Sequence, residues 1–228
     1  MFTNLLPTTG EIAITYKTGV SVFNGFIHLC ANGDIRAQKA DGTFDVRYSS
    51  GQLIAISSNT YVKLFGDFVF IKVWDFNNQI SDVDFYGCGN CVYLDISGID
   101  EMTSIKRFNG FDSLEYAAFK DINVKEIIFN AALSLVAFQA YNCANLDTVK
   151  FSIIQTELPY GNPNYLKPQN LRYLDFTNSN KFITDLNAWN SLILHIPALD
   201  QFVIGGSVQP EILGLQEFLS IRSFNWFN

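Results

Sequence analysis

The chain has 228 residues, of which 48% are hydrophobic and only 16% carry a charge, a composition that excludes intrinsic disorder and fits one ordinary domain or two small ones. Its net charge of −7 argues against a nucleic-acid-binding function, because such proteins need a surplus of basic side chains to neutralise phosphates. Phenylalanine is unusually frequent, with 21 copies.

The first residues do not resemble an export signal or a membrane segment. Pro7, Gly10 and Glu11 interrupt the apolar run that a signal peptide needs, which predicts synthesis in the cytoplasm without export. The longest apolar stretch, Phe68–Trp74, contains Lys72 and falls short of the roughly 20 residues of a membrane helix. We therefore expect no membrane span, and we expect the four cysteines to be reduced thiols.

Residues 1–52 predict a small antiparallel β domain. Apolar and polar residues alternate between Glu11 and Tyr48, which is typical of half-buried strands. Pairs that favour tight turns separate the apolar runs: Asn32-Gly33, Asp41-Gly42 and Ser50-Gly51. We interpret this segment as a meander, in which each strand pairs with the next, and as an N-terminal cap or attachment domain.

From about residue 53 the pattern changes to a six-residue repeat with apolar residues at positions one, four and six. Seven clear copies and a degenerate one at Met102 begin at these residues: Ile71, Ile80, Cys91, Met102, Leu114, Val124, Leu135 and Leu146. Successive copies begin 9 to 12 residues apart, and weaker copies begin at Leu171, Ile183, Leu199 and Leu215. Such regular spacing is typical of a chain that winds into stacked turns, so residues 53–228 predict a β-solenoid.

Each copy of the repeat is interpreted as one short strand whose positions one, four and six point into the protein. Several copies have phenylalanine at position six: Phe76, Phe85, Phe119, Phe129, Phe151 and Phe176. Stacking of successive copies would gather these rings into an inner column, which explains the excess of phenylalanine.

Two segments carry a further signature in front of the strand, FYGCGNCVYLDI at 85–96 and AYNCANLDTVKF at 140–151. In both, an aromatic residue, a cysteine and an asparagine precede the apolar pattern. This arrangement resembles the leucine-rich repeats of the BspA-like, Treponema-type class, well over residues 53–151 and loosely beyond. The resemblance implies a leucine-rich-repeat-like β-solenoid that binds partners through its exposed strand face. It also implies that asparagine and cysteine close the turns by hydrogen bonds from side chain to backbone.

Residues 152–170 interrupt the repeats as an irregular insertion rich in proline and glycine. Proline cannot donate to a β-ladder, so this segment is not another strand of the series. Insertions in solenoids tend to lie on the binding face, which makes Tyr160 and Tyr165 candidate binding residues. The alternative is a surface loop that only spans a change of register.

Aspartate occupies position five of three successive copies, as Asp75, Asp84 and Asp95. If neighbouring strands stack about 4.8 Å apart, these carboxylates would form an outward row. Such a row would bind a cation or act as an acid and base pair on a glycan. The alternative is a solvated row of charges that protects a sheet edge.

Cysteine and histidine offer one further constellation. Cys88 and Cys91 form a Cys-x-x-Cys pair, and His28 with Cys30 would complete a tetrahedral zinc site. Because Cys88 and Cys91 also occupy turn and core positions of the repeat, we interpret them as small buried hydrophobic residues. We expect no metal site and no cofactor. No motif for a catalytic nucleophile accompanies either histidine, so no catalytic residue is predicted.

Tyrosine occupies outward positions of three copies, as Tyr93, Tyr116 and Tyr173. Tyrosine offers a large contact area at a small entropic cost, which favours a binding surface for protein or sugar. The alternative is that β-propensity alone places tyrosine on a sheet.

The sequence therefore predicts a mainly β protein that acts as a non-catalytic recognition or structural module. We expect protein partners in a larger assembly such as a virion or a phage-tail-like particle, with surface glycan as a second ligand class and with homo-oligomerisation. Two alternatives are a glycan-acting β-solenoid enzyme that uses the aspartate row, and an intracellular repeat adaptor.

Overall fold

The computed structural model describes ten stretches of the chain: residues 10–17, 26–56, 61–75, 79–102, 105, 111–129, 134–150, 170–179, 200–205 and 223–227. The regular secondary structure of these stretches consists of β-strands without any helix, which confirms the prediction of a mainly β protein. In the same stretches no helix has the length and hydropathy to cross a membrane.

The N-terminal part of the chain contributes to a five-stranded antiparallel sheet. From edge to edge its strands are β4 (Phe44–Tyr48), β3 (Asp34–Lys39), β6 (Tyr61–Gly66), β1 (Gly10–Tyr16) and β8 (Ile80–Tyr86). The alternating pattern turns one face inward, where Ile12 and Ile35 are fully buried. The expected small antiparallel sheet is therefore present.

The predicted turns form, but the chain is not a simple meander. At the tip of the β3–β4 hairpin, Gly42 has a φ of +86°, and the backbone N–H of Thr43 donates to Asp41 Oδ1. The Asn32-Gly33 turn instead joins strands of two different sheets, since β2 (Phe26–Ala31) does not pair with β3 among the described strands. The expectation that each strand pairs with the next was wrong here, because a turn sets the local direction of the chain and not its long-range partner.

A nine-stranded sheet forms the larger part of the described structure. In spatial order its strands are β16 (Ser223–Phe227), β15 (Gln201–Gly205), β14 (Tyr173–Asp175), β12 (Ala137–Tyr141), β10 (Tyr116–Lys120), β9 (Tyr93–Ser97), β7 (Phe68–Trp74), β2 and β5 (Ile54–Ile56). The strands from β7 to β16 are parallel, whereas β2 and β5 pair antiparallel at one side. Strands from both sides of the expected boundary at residue 52 thus share sheets.

Neighbours in the parallel sheet are two copies of the repeat apart. The aligned residues Ile71, Leu94, Ala117 and Phe138 follow one another at intervals of 23, 23 and 21 residues. The copies in between belong to other sheets. The copy at Ile80 is strand β8, and those at Val124 and Leu146 form a separate parallel pair, β11 (Glu126–Ile128) and β13 (Thr148–Lys150). The expectation that each copy stacks on the next was therefore wrong.

The first copy of the repeat is shifted by three residues from its expected position. Ile71 pairs with Leu94, which is position four of the copy that begins at Cys91. The first copy thus begins at the buried Phe68, and its positions four and six are Ile71 and Val73. The segment is apolar in both phases, so its pattern alone does not distinguish them. Phe76 lies outside the described residues.

The inward positions of the repeat form the core as predicted. Position-one residues such as Leu114 and Val124 are fully buried. Phe119 and Phe129, from strands of different sheets, meet with ring centroids 6.3 Å apart, and both contact Phe138. Phe176 extends this cluster, with its ring 5.7 Å from that of Phe138. The predicted gathering of phenylalanine rings is confirmed for these residues, while Phe151 lies outside the described part.

The turns after successive strands share a left-handed backbone conformation. Gly98, Asp121, Asn142 and Asn178 follow β9, β10, β12 and β14 with φ values of 73°, 54°, 54° and 59°. Glycine, asparagine and aspartate tolerate this conformation better than other residues. The Asn142 amide donates to Asp121 Oδ1 at 2.7 Å, and the Asn178 amide donates to Asn142 Oδ1 at 2.8 Å. These side chains therefore link neighbouring turns to each other rather than to backbone.

The cysteines close turns in the manner that the repeat resemblance implies. The Cys143 thiol donates to the carbonyl oxygens of Phe119 and Tyr141, and the Cys88 thiol donates to that of Tyr86. All four cysteines are unbridged. Burial raises the pKa of the Cys88 and Cys143 thiols to about 12.

Replacing Gly98 by alanine is expected to destabilise the protein. A Cβ atom at Gly98 would lie 2.6 Å from the Asp75 carbonyl oxygen, in addition to the strain of φ +73°. We expect the free energy of unfolding to fall by about 2 to 3 kcal/mol in urea denaturation followed by circular dichroism. Gly42→Ala is the matched control, since φ is +86° but no atom lies within 4 Å, and it should cost about 1 kcal/mol. Equal losses in both variants would contradict the close packing of this turn.

Candidate functional site

A row of stacked aromatic rings crosses the outer face of the nine-stranded sheet. We call it the tyrosine row: Phe70, Tyr93, Tyr116 and Tyr173. The rings of Phe70 and Tyr93 stack with centroids 4.4 Å apart and planes 6° apart, and those of Tyr93 and Tyr116 with 4.5 Å and 7°. In-register parallel strands repeat at about 4.8 Å, which places equivalent side chains at stacking distance. The structure thus brings the three predicted tyrosines onto one face.

A chain of hydrogen bonds connects the remaining members of the row. Ala137 occupies the register position between Tyr116 and Tyr173, so no ring fills that place. The Tyr116 hydroxyl donates to Gln139 Oε1 at 2.7 Å, and Gln139 Nε2 donates to the Tyr173 hydroxyl at 3.4 Å. The Tyr173 hydroxyl in turn donates to Asp175 Oδ2 at 3.2 Å. These bonds fix the orientation of both phenols above the sheet.

Beside the tyrosine row, Asp95 is a buried carboxylate held by two lysines. Its side chain is only 1% exposed, although it points to the outer face. Lys72 Nζ and Lys120 Nζ, from the strands on either side, lie 3.1 and 3.8 Å from Asp95 Oδ2. Ser97 Oγ donates to Asp95 Oδ1 at 2.8 Å. The long lysine side chains cover the carboxylate and leave their own charged ends partly exposed.

The lysine cluster also contacts an aromatic ring. Lys72 Nζ lies 4.9 Å from the ring centroid of Trp74, a distance at which the ammonium is attracted to the π-face. The outer face therefore presents half-buried rings next to two lysines that share one carboxylate.

Burial raises the pKa of each phenol in the tyrosine row. It is the largest cause for Tyr93, Tyr116 and Tyr173 alike. The neighbouring carboxylate Asp95 raises the pKa of Tyr93 and Tyr116 further, and Asp175 does the same for Tyr173. The row is therefore neutral at physiological pH and acts as a hydrogen-bonding apolar surface.

The expected row of Asp75, Asp84 and Asp95 does not form. Asp75 is buried just after β7, where its Oδ2 accepts the backbone N–H groups of Gln79 and Ile80. Asp84 lies in β8 of the five-stranded sheet and pairs with β1. The row was wrong for two reasons: the shifted phase places Lys72 rather than Asp75 at position five, and alternate copies belong to different sheets. A role of these three residues in binding stays a prediction.

Other candidate residues are placed as follows. Tyr160 and Tyr165, with the insertion at 152–170, fall outside the described residues except for residue 170. Cys88 and Cys91 are buried in the core, which agrees with their interpretation as small hydrophobic residues. The described part of the chain contains no group of three or more histidine, cysteine, aspartate or glutamate side chains placed to hold a metal ion.

Sequence reasoning did not find Phe70, Lys72 and Lys120 as part of this face. The signal was present, because aligning alternate copies at an interval of about 22 residues puts Phe70 in line with Tyr93 and Tyr116. The wrong phase of the first copy concealed it.

Comparison of the chain with protein-family models, with curated proteins and with solved structures found no match.

Removing the charge of Asp95 is expected to destabilise the protein. Asp95→Asn keeps the shape but leaves Lys72 and Lys120 without their shared carboxylate, so the free energy of unfolding should fall by about 2 kcal/mol in urea denaturation. Asp200→Asn is the control, because the Arg172–Asp200 pair at 3.1 Å is more exposed and should contribute less than about 1 kcal/mol. If the two variants lost the same stability, Asp95 would not organise this face.

Alkaline pH is expected to weaken the folded state through the tyrosine row. The folded state keeps the phenol protons of Tyr93, Tyr116 and Tyr173, whereas the unfolded chain releases them near pH 10. The contribution is thus complete below pH 10, and the free energy of unfolding falls as pH rises above it.

The check is a spectrophotometric titration of phenolate absorbance, compared between folded and urea-unfolded protein. We expect part of the folded signal to rise later than in the unfolded chain, and Tyr116→Phe to remove part of that late component. Identical titration curves for the two states would contradict the burial of these phenols.

Proposed function

We propose that the chain is a non-catalytic recognition protein that binds a protein partner through the tyrosine row. The observation that carries the proposal is the stack of parallel rings from Phe70 to Tyr116, continued to Tyr173 by the hydrogen bonds of Gln139. The rings are half-buried and held in place before any partner binds.

We further propose that the scaffold is a leucine-rich-repeat-like β-solenoid of the BspA-like kind. The return of alternate repeat copies to the same parallel sheet supports this, because each winding then contains two copies and about 22 residues. The second parallel pair, β11 with β13, has the same interval, since Ile127 aligns with Val149. The aligned left-handed turns and the thiol bonds to carbonyl oxygens also fit such a winding.

A protein partner suits the tyrosine row better than a sugar does. The π-faces of Tyr93 are covered by Phe70 and Tyr116, so this ring presents its edge and hydroxyl to the outside. A sugar ring commonly requires an open aromatic face, whereas a protein surface packs well against a fixed layer of ring edges. Tyrosine is also enriched in protein interfaces because little side-chain entropy is lost on binding.

The glycan-acting enzyme has less support from the geometry. Acid and base catalysis on a glycosidic bond needs two carboxyl groups that flank one substrate atom. Asp95 is neutralised by Lys72 and Lys120, Asp75 binds backbone amides, and Asp84 belongs to the other sheet.

The setting of the recognition is a separate part of the proposal. We place the chain in a larger assembly such as a virion or a phage-tail-like particle, on the basis of its low charge and repetitive β sequence. An intracellular repeat adaptor would use the same face and differ only in its partner.

Site-specific photo-crosslinking tests the proposed face. Tyr116 is replaced by p-benzoylphenylalanine, and the full chain is irradiated in extract of the cells or particles in which it occurs. We expect one adduct of defined mass. The matched control carries the crosslinker at Glu126, an exposed residue of the separate pair β11–β13, and should not give that adduct. Once the partner is identified, Tyr93→Ala together with Tyr173→Ala should weaken its binding at least about ten-fold.

Two results would contradict the proposal. Equal adducts from positions 116 and 126 would show that the tyrosine row is not selective. Retention of the labelled chain on a glycan array, lost in the tyrosine variant and without any protein adduct, would replace the protein partner by a sugar.

A further inference from the structure

Strand β4 at the edge of the five-stranded sheet has its polarity reversed. Phe44, Val46 and Tyr48, which share one face, are 48%, 62% and 72% exposed. The residues between them, Asp45 and Arg47, point to the opposite face, where both contact the Tyr61 hydroxyl at 2.5 and 2.8 Å. An edge strand normally exposes its polar side chains, so this arrangement leaves an apolar strip without cover in the described structure.

The backbone of the same three residues points away from the sheet. Within the described part of the chain, β4 pairs only with β3. The Lys39 N–H donates to the Thr43 carbonyl at 2.8 Å, and the register continues with Ala37 opposite Asp45. Bonding to a neighbour alternates along an antiparallel strand, so Thr43, Asp45 and Arg47 bond to β3. The N–H and C=O groups of the even-numbered residues therefore face outward.

The sequence of β4, Phe-Asp-Val-Arg-Tyr, is complementary to itself when read antiparallel. If two copies pair with Val46 opposite Val46, Phe44 lies opposite Tyr48 and Asp45 lies opposite Arg47. In this register the outward N–H and C=O groups of one strand meet those of the other, which gives about six hydrogen bonds between the chains. The aromatic pairs then lie on the exposed face, and the opposite charges lie on the other face.

We propose that β4 is the contact surface for a second copy of this chain, through a two-fold antiparallel pairing centred on Val46. The pairing joins two five-stranded sheets into a continuous ten-stranded sheet and covers the apolar strip of both copies. Charge complementarity between Asp45 and Arg47 selects this register, because a shift by two residues would remove both ion pairs and leave Phe44 or Tyr48 unmatched.

The contact is small and is expected to be reversible. Two five-residue strands bury less area than a standard interface of about 1,600 Å², so we expect a dissociation constant on the order of 10 µM. The tyrosine row lies on the other sheet, and the dimer does not depend on the proposed protein-binding function.

Sedimentation equilibrium of the full chain, from about 1 to 200 µM, measures the self-association. Val46→Lys places two ammonium groups side by side on the two-fold axis and should weaken the dimer at least ten-fold. Val136→Lys is the matched control, since Val136 is also an exposed valine, at 38%, but precedes β12 of the nine-stranded sheet. It should leave the association unchanged.

A charge exchange tests the register itself. Asp45→Arg and Arg47→Asp each place like charges opposite each other in the dimer, so each variant alone should associate at least ten-fold more weakly. An equimolar mixture of the two variants should form a heterodimer, because the two arginines of one strand then face the two aspartates of the other. This readout compares the mixture with its own components and is independent of any change within the monomer.

Three results would overturn the proposal. The unaltered chain could remain monomeric over the whole concentration range. It could dimerise equally well with Val46→Lys, which would place the contact elsewhere. The mixture of the charge variants could associate no better than either variant alone, which would exclude the register in which Asp45 faces Arg47.

Discussion

The in-register pairing of the parallel strands β7, β9, β10, β12 and β14 is the constraint on which the rest of the structure depends. It aligns the same repeat position of successive strands at a spacing of about 4.8 Å. On the inner side this alignment buries positions four and six in one continuous core. On the outer side it stacks Phe70, Tyr93 and Tyr116, and at the strand ends it aligns the left-handed turns. A shift of one residue in any of these pairs would exchange core and surface residues throughout the strand.

The outer face illustrates how pairing across strands changes the character of a side chain. Asp95 would be a solvated carboxylate on an isolated strand. Lys72 and Lys120 become its neighbours only because β7 and β10 flank β9 in register. The two lysines cover and neutralise it, so the charged residue becomes part of the rigid base of the tyrosine row. The same face therefore combines a fixed aromatic layer with a compensated charge cluster, which suits recognition better than catalysis.

Local pattern was sufficient to predict some features and not others. The inward positions of the repeat, the burial of Phe119 and Phe129, and the common face of Tyr93, Tyr116 and Tyr173 follow from the two-residue alternation of a strand, which the sequence displays directly. The partner of each strand does not follow, because it depends on how far the chain travels before it returns. Consecutive copies were therefore wrongly expected to stack, and Asp84 was placed beside Asp95. The reversed strand β4 was likewise hidden, since alternation shows two faces and does not say which one is buried.

The central claim is that alternate copies of the repeat are neighbours in one parallel sheet. Solution NMR of the isotopically labelled chain tests it most directly, through nuclear Overhauser effects between backbone protons of facing strands. The account predicts such effects between Lys72 and Asp95 and between Asp95 and Ala118. A ladder that instead joins β7 to β8, the next copy along the chain, would contradict it, because the tyrosine row would then have no common face.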